Sequence, residues 1–396
     1  MAPLDNTTSG DAIAAKLRSQ GDFDASLRPL EEASTLPPLA YTSEEFYQLE
    51  IERIFMKEWL CVGRADQIPN AGDYYCIDLF DNPLVILRDE KGEIQALSTV
   101  CRHRGAEVIQ GSGNTKELLC RYHLWSYSLK GELYGAPEMG GVKNFNSKKI
   151  CLPRLKVEVW QGFVFVSFNK DATPLSPRLK GADEILKNYK LSEMTTVVLA
   201  EQQAPWNWKL MLDNFMEFYH VLGLHKGTHD PMPTQLSKAD AYNGNYEHSF
   251  GEIPAKHGTL WSVTGEHSPV PRIPSLTERE NHLGQFFCIY PNLLFFVSPE
   301  MMGFYRIFPR SPGTFDLTIH VCIPPTTAAL PDLEPRLKSA TDCLLVIHGQ
   351  DYWACESMQR GFSSTLAEQG RFSTYDKPCN QIARYVIERV LDGKGL

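Results

Sequence analysis

The sequence predicts an α+β protein. A small all-β domain is expected over residues 58–168 and a larger antiparallel-sheet-and-helix domain over 169–396, with an arm and helix over 1–57 packing against the larger domain. Three observations predict this. Between about 58 and 168, apolar runs of strand length alternate with Gly-bearing turns. From Gln285 to Pro324, aromatic and β-branched runs follow one another with only short breaks, as consecutive antiparallel strands do. Helical periodicity flanks those strands, in WKLMLDNFMEFYHVL before them and from about residue 331 after them.

Bulk properties narrow the class. At 396 residues the chain is long enough for more than one core, and 43% hydrophobic with 22% charged residues is ordinary for a globular protein. The net charge of −9, with no basic run, argues against a nucleic-acid partner, because phosphate binding needs a clustered positive patch. The N-terminus lacks the charged-then-apolar pattern of a signal peptide. No apolar run approaches the roughly 20 residues of a membrane helix, and LLFFV at 293–297 is only of strand length. A cytoplasmic protein without membrane contact is expected. The ten cysteines are scattered with no disulfide spacing, so all but Cys101 and Cys120 read as small buried residues.

Taken in order, residues 1–36 are polar and weakly patterned, a flexible or loosely packed arm. Thr42 or Ser43 then caps a helix in which Phe46, Leu49, Ile54 and Trp59 share a buried side. In the β region, DYYCIDLF and NPLVILRD are strands, and Glu90-Lys-Gly-Glu93 is a hairpin turn leading into EIQALSTV. A second Lys-Gly turn at 130–131 separates LWSYSL from ELYGA, and VEVWQGFVFVSFN closes the domain. Beyond it, DEILKNY is a short helix and VVLAEQQA a strand. QFFCIYPNLLFFVS, FYRIFPR and TFDLTIHVCIP are successive strands, followed by helices over about 331–360 and 378–391. The Pro- and Gly-bearing stretch 253–275 is expected as long loops covering a site.

Two constellations carry chemistry. In the first, Cys101-Arg-His103 is separated by sixteen residues from Cys120-Arg-Tyr-His123. One thiolate and one imidazole on each of two turns is the ligand set of a two-iron cluster with one all-sulfur iron and one histidine-ligated iron. The competing reading is a structural Cys2His2 zinc site, which more often pairs like with like within each turn. In the second, Asp213, Glu217 and His220 are spaced to share one face of a helix. His225 returns to that point if the helix breaks at Gly223, although His229 could replace it on sequence alone. Two imidazoles and one carboxylate with open positions opposite form the triad that lets Fe(II) meet O2. The carboxylate must come from elsewhere, and Asp351 and Glu356 are both candidates. Trp261, Phe286, Tyr290 and Tyr305 could present aromatic faces to a cation or line an apolar pocket equally well.

On these residues the chain resembles the alpha subunit of the Rieske non-haem iron ring-hydroxylating oxygenases. The family carries C-x-H, a gap of this length and C-x2-H, then an acidic-Asn segment and a carboxylate-x2-His-x4-His helix. Here those are Cys101, His103, Cys120, His123, Asp213-Asn214, Glu217, His220 and His225. CRHRGAEV and YHLWSYSLKGEL extend the similarity, which runs from about 38 to 361. The resemblance implies an all-β Rieske [2Fe-2S] domain and a catalytic domain with mononuclear iron. In it Asp351, in the context Gln350-Asp351 … Gln359-Arg360-Gly361, is the carboxylate ligand, and Asn214 lies near the iron or fills a structural role. Glu217 stands where the commonest pattern has Asp. With the N-terminal stretch YTSEEFYQLEIERIFMKEWLCVGRADQIPNAGDYY, this resembles the subgroup acting on carnitine, glycine betaine and choline.

The resemblance further implies a terminal oxygenase using O2 and electrons from a separate NAD(P)H-dependent reductase, with a ferredoxin as an optional intermediary. Ring hydroxylation, as in aromatic hydrocarbon catabolism, and oxidative N/O-dealkylation of a small molecule both stay open. A homotrimer or an α3β3 assembly is implied, with His123 of one chain meeting Glu217 of the next. A cluster-only electron carrier and a zinc-stapled binding protein are the competing classes.

Overall fold

The computed structural model describes residues 10–228, 232–254, 259–261 and 268–394, save the side chains of Val198 and Leu199. His229 and much of the expected 253–275 loop lie outside the described residues. The chain divides into two units: Glu58–Pro174, and Ala2–Lys57 together with Leu175–Leu396.

The first unit is built of short strands because its apolar runs are broken every few residues by turn-formers. Leu60–Arg64, Phe163–Ser167 and Lys156–Trp160 form one antiparallel sheet. Ile94–Ser98, Asn82–Arg88, Asp73–Leu79 and Ser112–Asn114 form a second. Leu118–Leu119, Ser126–Tyr127 and Leu133–Gly135 form a third. The expected Lys-Gly turns are present. Gly92 takes φ 82°, and the Asp89 carboxylate accepts from the amides of Lys91 and Glu93 at 2.9 and 3.0 Å.

In the second unit the arm is not loose from residue 10 onward. Gly10–Gln20 is a helix that buries Ile13, Ala14 and Leu17, apolar positions one helical turn apart, and Asp22 caps the following turn Phe23–Ser26. Ser43 caps the helix Glu44–Glu50, which widens into a π-turn over Ile51–Phe55. Phe46, Leu49 and Ile54 are fully buried. Trp59 lies past the helix in the first unit, its indole donating to Thr173 O at 2.8 Å.

Seven antiparallel strands make the main sheet, in the order Thr195–Ala204, Thr314–Ile323, Met302–Ser311, Leu293–Val297, Leu283–Ile289, Tyr246–Glu252, Ser237–Ala239. The helix Trp208–Met216 packs between this sheet and the helices Leu333–Phe362 and Lys377–Val390. Among the described residues no helix is long and apolar enough to cross a membrane.

One buried ion pair anchors the Trp208–Met216 helix. Lys209 Nζ lies 2.5 Å from Glu50 Oε1 with both side chains fully buried, and Trp208 Nε1 donates to Glu50 Oε2 at 3.0 Å. Burial pushes the Glu50 carboxyl up and the Lys209 amine down, and their mutual attraction opposes both shifts. Truncating one partner strands the other charge in the core. Glu50→Ala is therefore expected to cost about 3–5 kcal/mol of stability in denaturant unfolding. A change below about 1 kcal/mol, the level of a surface pair, would mean that water reaches the amine.

Candidate metal centres

The two Cys/His turns of the first unit have the same backbone plan. The Cys101 N–H donates to Ala106 O, and its carbonyl accepts from Gly105 N; Cys120 does the same with Trp125 O and Leu124 N, all at 2.9–3.0 Å. The fourth residue after each cysteine is left-handed, Gly105 at φ 80° and Leu124 at φ 59°. Two such knuckles aim their donor groups alike. Cys101 and Cys120 are buried, whereas His103 is exposed and His123 partly so.

The surroundings suit a metal cluster. Burial and the neighbouring Cys101 push the Cys120 thiol up, so that thiol resists ionising without a cation beside it. Tyr127 OH accepts from Arg102 N at 3.0 Å and lies 3.3 Å from Cys101 Sγ, which leaves its proton free for the sulfur. The His103 ring stacks on Trp125 at 4.8 Å and meets His123 edge-on at 4.6 Å. Among the described residues His123 Nδ1 is buried with no hydrogen-bond partner, an orphaned donor atom of the kind a metal satisfies.

In the second unit Asn207 starts the helix Trp208–Met216, its Oδ1 accepting from Lys209 N at 3.0 Å. This helix ends earlier than the periodicity suggests. Glu217 is extended (φ −97°, ψ 156°), so Asp213, Glu217 and His220 do not share a helix face, and Gly223 does not make the break. The cause is a side-chain cap. Glu217 Oε2 accepts from the backbone amides of Tyr219 and His220, and these open a separate 3-10 turn over His220–Leu222. Asp213 stays inside the helix, partly buried near Tyr41 OH (3.4 Å), and desolvation pushes its carboxyl up to about 8.

His220, His225 and Asp351 each offer one ligand atom, all within 4.8 Å of one another. Asp351 Oδ1 lies 2.9 Å from His225 Nε2 and 3.6 Å from His220 Nε2. Both Nε2 atoms face the carboxylate, and the outer nitrogens are held by other side chains. His220 Nδ1–H donates to Glu217 Oε1 at 2.6 Å, and His225 Nδ1–H to Gln350 Oε1 at 2.9 Å. Burial alone lowers the His220 pKa, but the carboxylates of Glu217 and Asp351 outweigh it and raise it. Asn214 Nδ2 donates to Asp351 Oδ1 at 3.3 Å. Glu356, five residues further along the helix, is exposed and outside this cluster. Gln350 was missed as an orienting group, although its place beside Asp351 in the sequence was the available signal.

A cleft of about 650 Å³, part of it open to solvent, lies against these residues. Its wall beyond them is apolar and aromatic, with Phe215, Phe218, Trp261, Phe286, Phe296 and Tyr305 prominent. Tyr290 is not part of it; that ring stacks on Tyr385 at 3.8 Å and its hydroxyl donates to Glu247. Glycines on the sheet make the wall possible. A Cβ at Gly303 would run into the Phe296 ring, and one at Gly284 would lie 2.9 Å from Met232 Sδ and 3.0 Å from Leu260 Cδ1.

Residues 188–392 match the family model described as ring hydroxylating alpha subunit (catalytic domain), and residues 58–146 match that of the Rieske [2Fe-2S] domain. The chain is 28% identical over 387 residues to a chloroplastic choline monooxygenase of Arabidopsis thaliana, covering 94% of this chain and 86% of that protein. It is 29% identical over 369 residues to the oxygenase subunit of a carnitine monooxygenase from Acinetobacter baumannii, covering 90% and 92%. Among solved structures it is similar to a quaternary ammonium Rieske monooxygenase, with a TM-score of 0.77 and 25% identity over 93% of this chain and 98% of that one.

Proposed function

As a member of the ring-hydroxylating alpha-subunit family, the chain is the terminal component of a Rieske oxygenase, and we propose that it oxidatively dealkylates or cleaves a small quaternary amine. Its two domains carry a [2Fe-2S] cluster and one Fe(II), which when bound supply single-electron transfer and O2 activation. On this reading Cys101, His103, Cys120 and His123 hold the cluster, and His220, His225 and Asp351 hold the iron. Glu217 and Gln350 fix the two imidazole planes, and the Asn214 amide fixes the carboxylate.

The observation that carries the substrate class is the charge pattern of the cavity. Among the described lining residues there is no Lys or Arg; the ionisable groups near the metal ligands are carboxylates and imidazoles, and the remaining wall is largely aromatic. Such a wall favours a soft cation over an anion, because a quaternary nitrogen is attracted to ring faces. The likeness to the choline and carnitine enzymes supports the same class. Ring hydroxylation of a neutral arene is the second reading, favoured by the aliphatic part of the wall at Leu260, Leu344 and Ile347.

Alpha subunits of this family work with a reductase and assemble as multimers. For this chain we infer an NAD(P)H-dependent reductase, with or without a ferredoxin, and a trimer, with a beta subunit or without one. In that trimer His123 of one subunit would face Glu217 of the next. The exposed side chains of Tyr122 and Leu124, which flank His123, support that surface as an interface.

A single turnover tests the substrate class. The purified holoenzyme is reduced chemically, mixed with O2, and offered N-methylated amines in one panel and arenes in another. An aldehyde and a demethylated or cleaved amine are expected. A phenol or ring diol from the arene panel alone would replace the amine reading with ring hydroxylation.

A further inference from the structure

Among the described residues, the polar groups lining the cavity are, apart from the metal-ligating atoms, committed to protein partners, with one exception. Asn214 donates to Asp351, Glu217 is held by His220 and the turn amides, and His225 donates to Gln350. The Trp261 indole donates to Ser298 Oγ at 2.7 Å. Tyr305 is the exception. It sits in the middle of the strand Met302–Ser311, two residues from Gly303 and on the same sheet face, and is only 4% exposed. Among the described residues its hydroxyl has no hydrogen-bond partner, yet the residue lines the cavity. Tyr127, Tyr189 and Tyr290, buried elsewhere, each use this group in a hydrogen bond.

A hydroxyl that lines a ligand cavity without a protein partner marks where a ligand can supply the missing atom. We propose that the Tyr305 hydroxyl binds an oxygen function of the substrate (a hydroxyl, ether or carboxylate oxygen) and so selects oxygen-bearing quaternary amines over plain tetraalkyl ones. The ring is well placed to hold that hydroxyl still. It meets Phe215 edge-on at 5.3 Å, next in sequence to Asn214, and lies 5.8 Å from His348 on the helix that carries Asp351. Burial, with the charge of Asp351 adding to it, keeps the phenol protonated, so the group is a donor at any working pH. The inference rests on the cavity being the substrate site of the amine oxygenase.

The test is a binding measurement, which needs no turnover. Choline and n-propyltrimethylammonium differ by a hydroxyl in place of a methyl group. Their dissociation constants are measured by calorimetry on the holoenzyme, wild type and Tyr305→Phe, with the cluster absorbance as the check on folding. In the wild type, choline is expected to bind about tenfold more tightly than its isostere, the worth of one neutral hydrogen bond. Tyr305→Phe should erase that ratio while moving the isostere less than about twofold. An unchanged ratio, or no preference for choline in the wild type, overturns the proposal. If neither amine binds the wild type, the amine reading itself has failed, and the comparison moves to salicylate against benzoate. Selective loss of salicylate binding in Tyr305→Phe then still assigns the hydroxyl, and its absence overturns the assignment.

Discussion

Replacing Glu217 by glutamine is expected to leave both metal complements in place while cutting product formation by about 10- to 100-fold, the usual cost of losing a group that orients a metal-binding histidine. The carboxylate has two tasks. Oε1 accepts the Nδ1 proton of His220 at 2.6 Å, and Oε2 caps the turn that carries the same histidine. Glutamine keeps one acceptor oxygen but loses the charge that holds the His220 proton on Nδ1. Alanine loses the cap as well, so Glu217→Ala should lower iron content where Glu217→Gln does not. Metal content, cluster absorbance, and product formed per O2 consumed separate the two effects. Wild-type turnover by a fully loaded Glu217→Gln enzyme would show that the carboxylate only shapes the turn.

How far the sequence foretells this arrangement depends on the range over which each feature is determined. The strands over 283–323, most of those in the first unit, and the helices at 333–362 and 377–390 follow from local periodicity, whereas Ser237–Ala239 and Tyr246–Glu252 carry no pattern that singles them out. The packing of the first helix, Gly10–Gln20, is less legible. Its three buried positions give a weak signal, and their partners are remote in sequence. The end of the Trp208–Met216 helix is a different failure. Nothing in MEFYH is hostile to helix, and periodicity continues through it. What stops it is a carboxylate that bonds the next two amides instead of facing solvent, a choice between local hydrogen bonds that pattern does not reveal.

The same distinction applies to the site. Short spacings such as C-x-H and C-x2-H bring their ligand pairs to single turns, and the two matching knuckles follow from that. Asp351 is more than a hundred residues from His220 and meets it only through the packing of two helices. Sequence alone left it level with Glu356; the five-residue step between them, roughly 140° around a helix, sends one toward the histidines and the other to solvent. Tyr305 and Tyr290 show the limit from the other side. Both are buried aromatic residues in strand patterns, and the cavity takes one of them.

Asp351→Ala is expected to have the largest effect of any single change. It should release the mononuclear iron, abolish product formation to at least a hundredfold below wild type, and leave the cluster chromophore intact. The geometry gives the reason. Asp351 Oδ1 stands within 3.6 Å of both imidazole Nε2 atoms, and without it two neutral nitrogens remain to hold a dication. Two imidazoles lack the anionic oxygen that completes the facial set. His220→Ala should behave alike, and Glu356→Ala, changed on the solvent side of the same helix, should keep iron and activity near wild type. Iron and sulfide analysis on the three proteins, with the visible spectrum as a check on the first unit, reads all of this out. Iron lost by Glu356→Ala and kept by Asp351→Ala would move the carboxylate assignment to the other residue. Loss of cluster and iron together in Asp351→Ala would mean that the substitution tests folding rather than ligation, and Asp351→Asn, which keeps the shape and removes the charge, would then decide whether charge is what the iron requires.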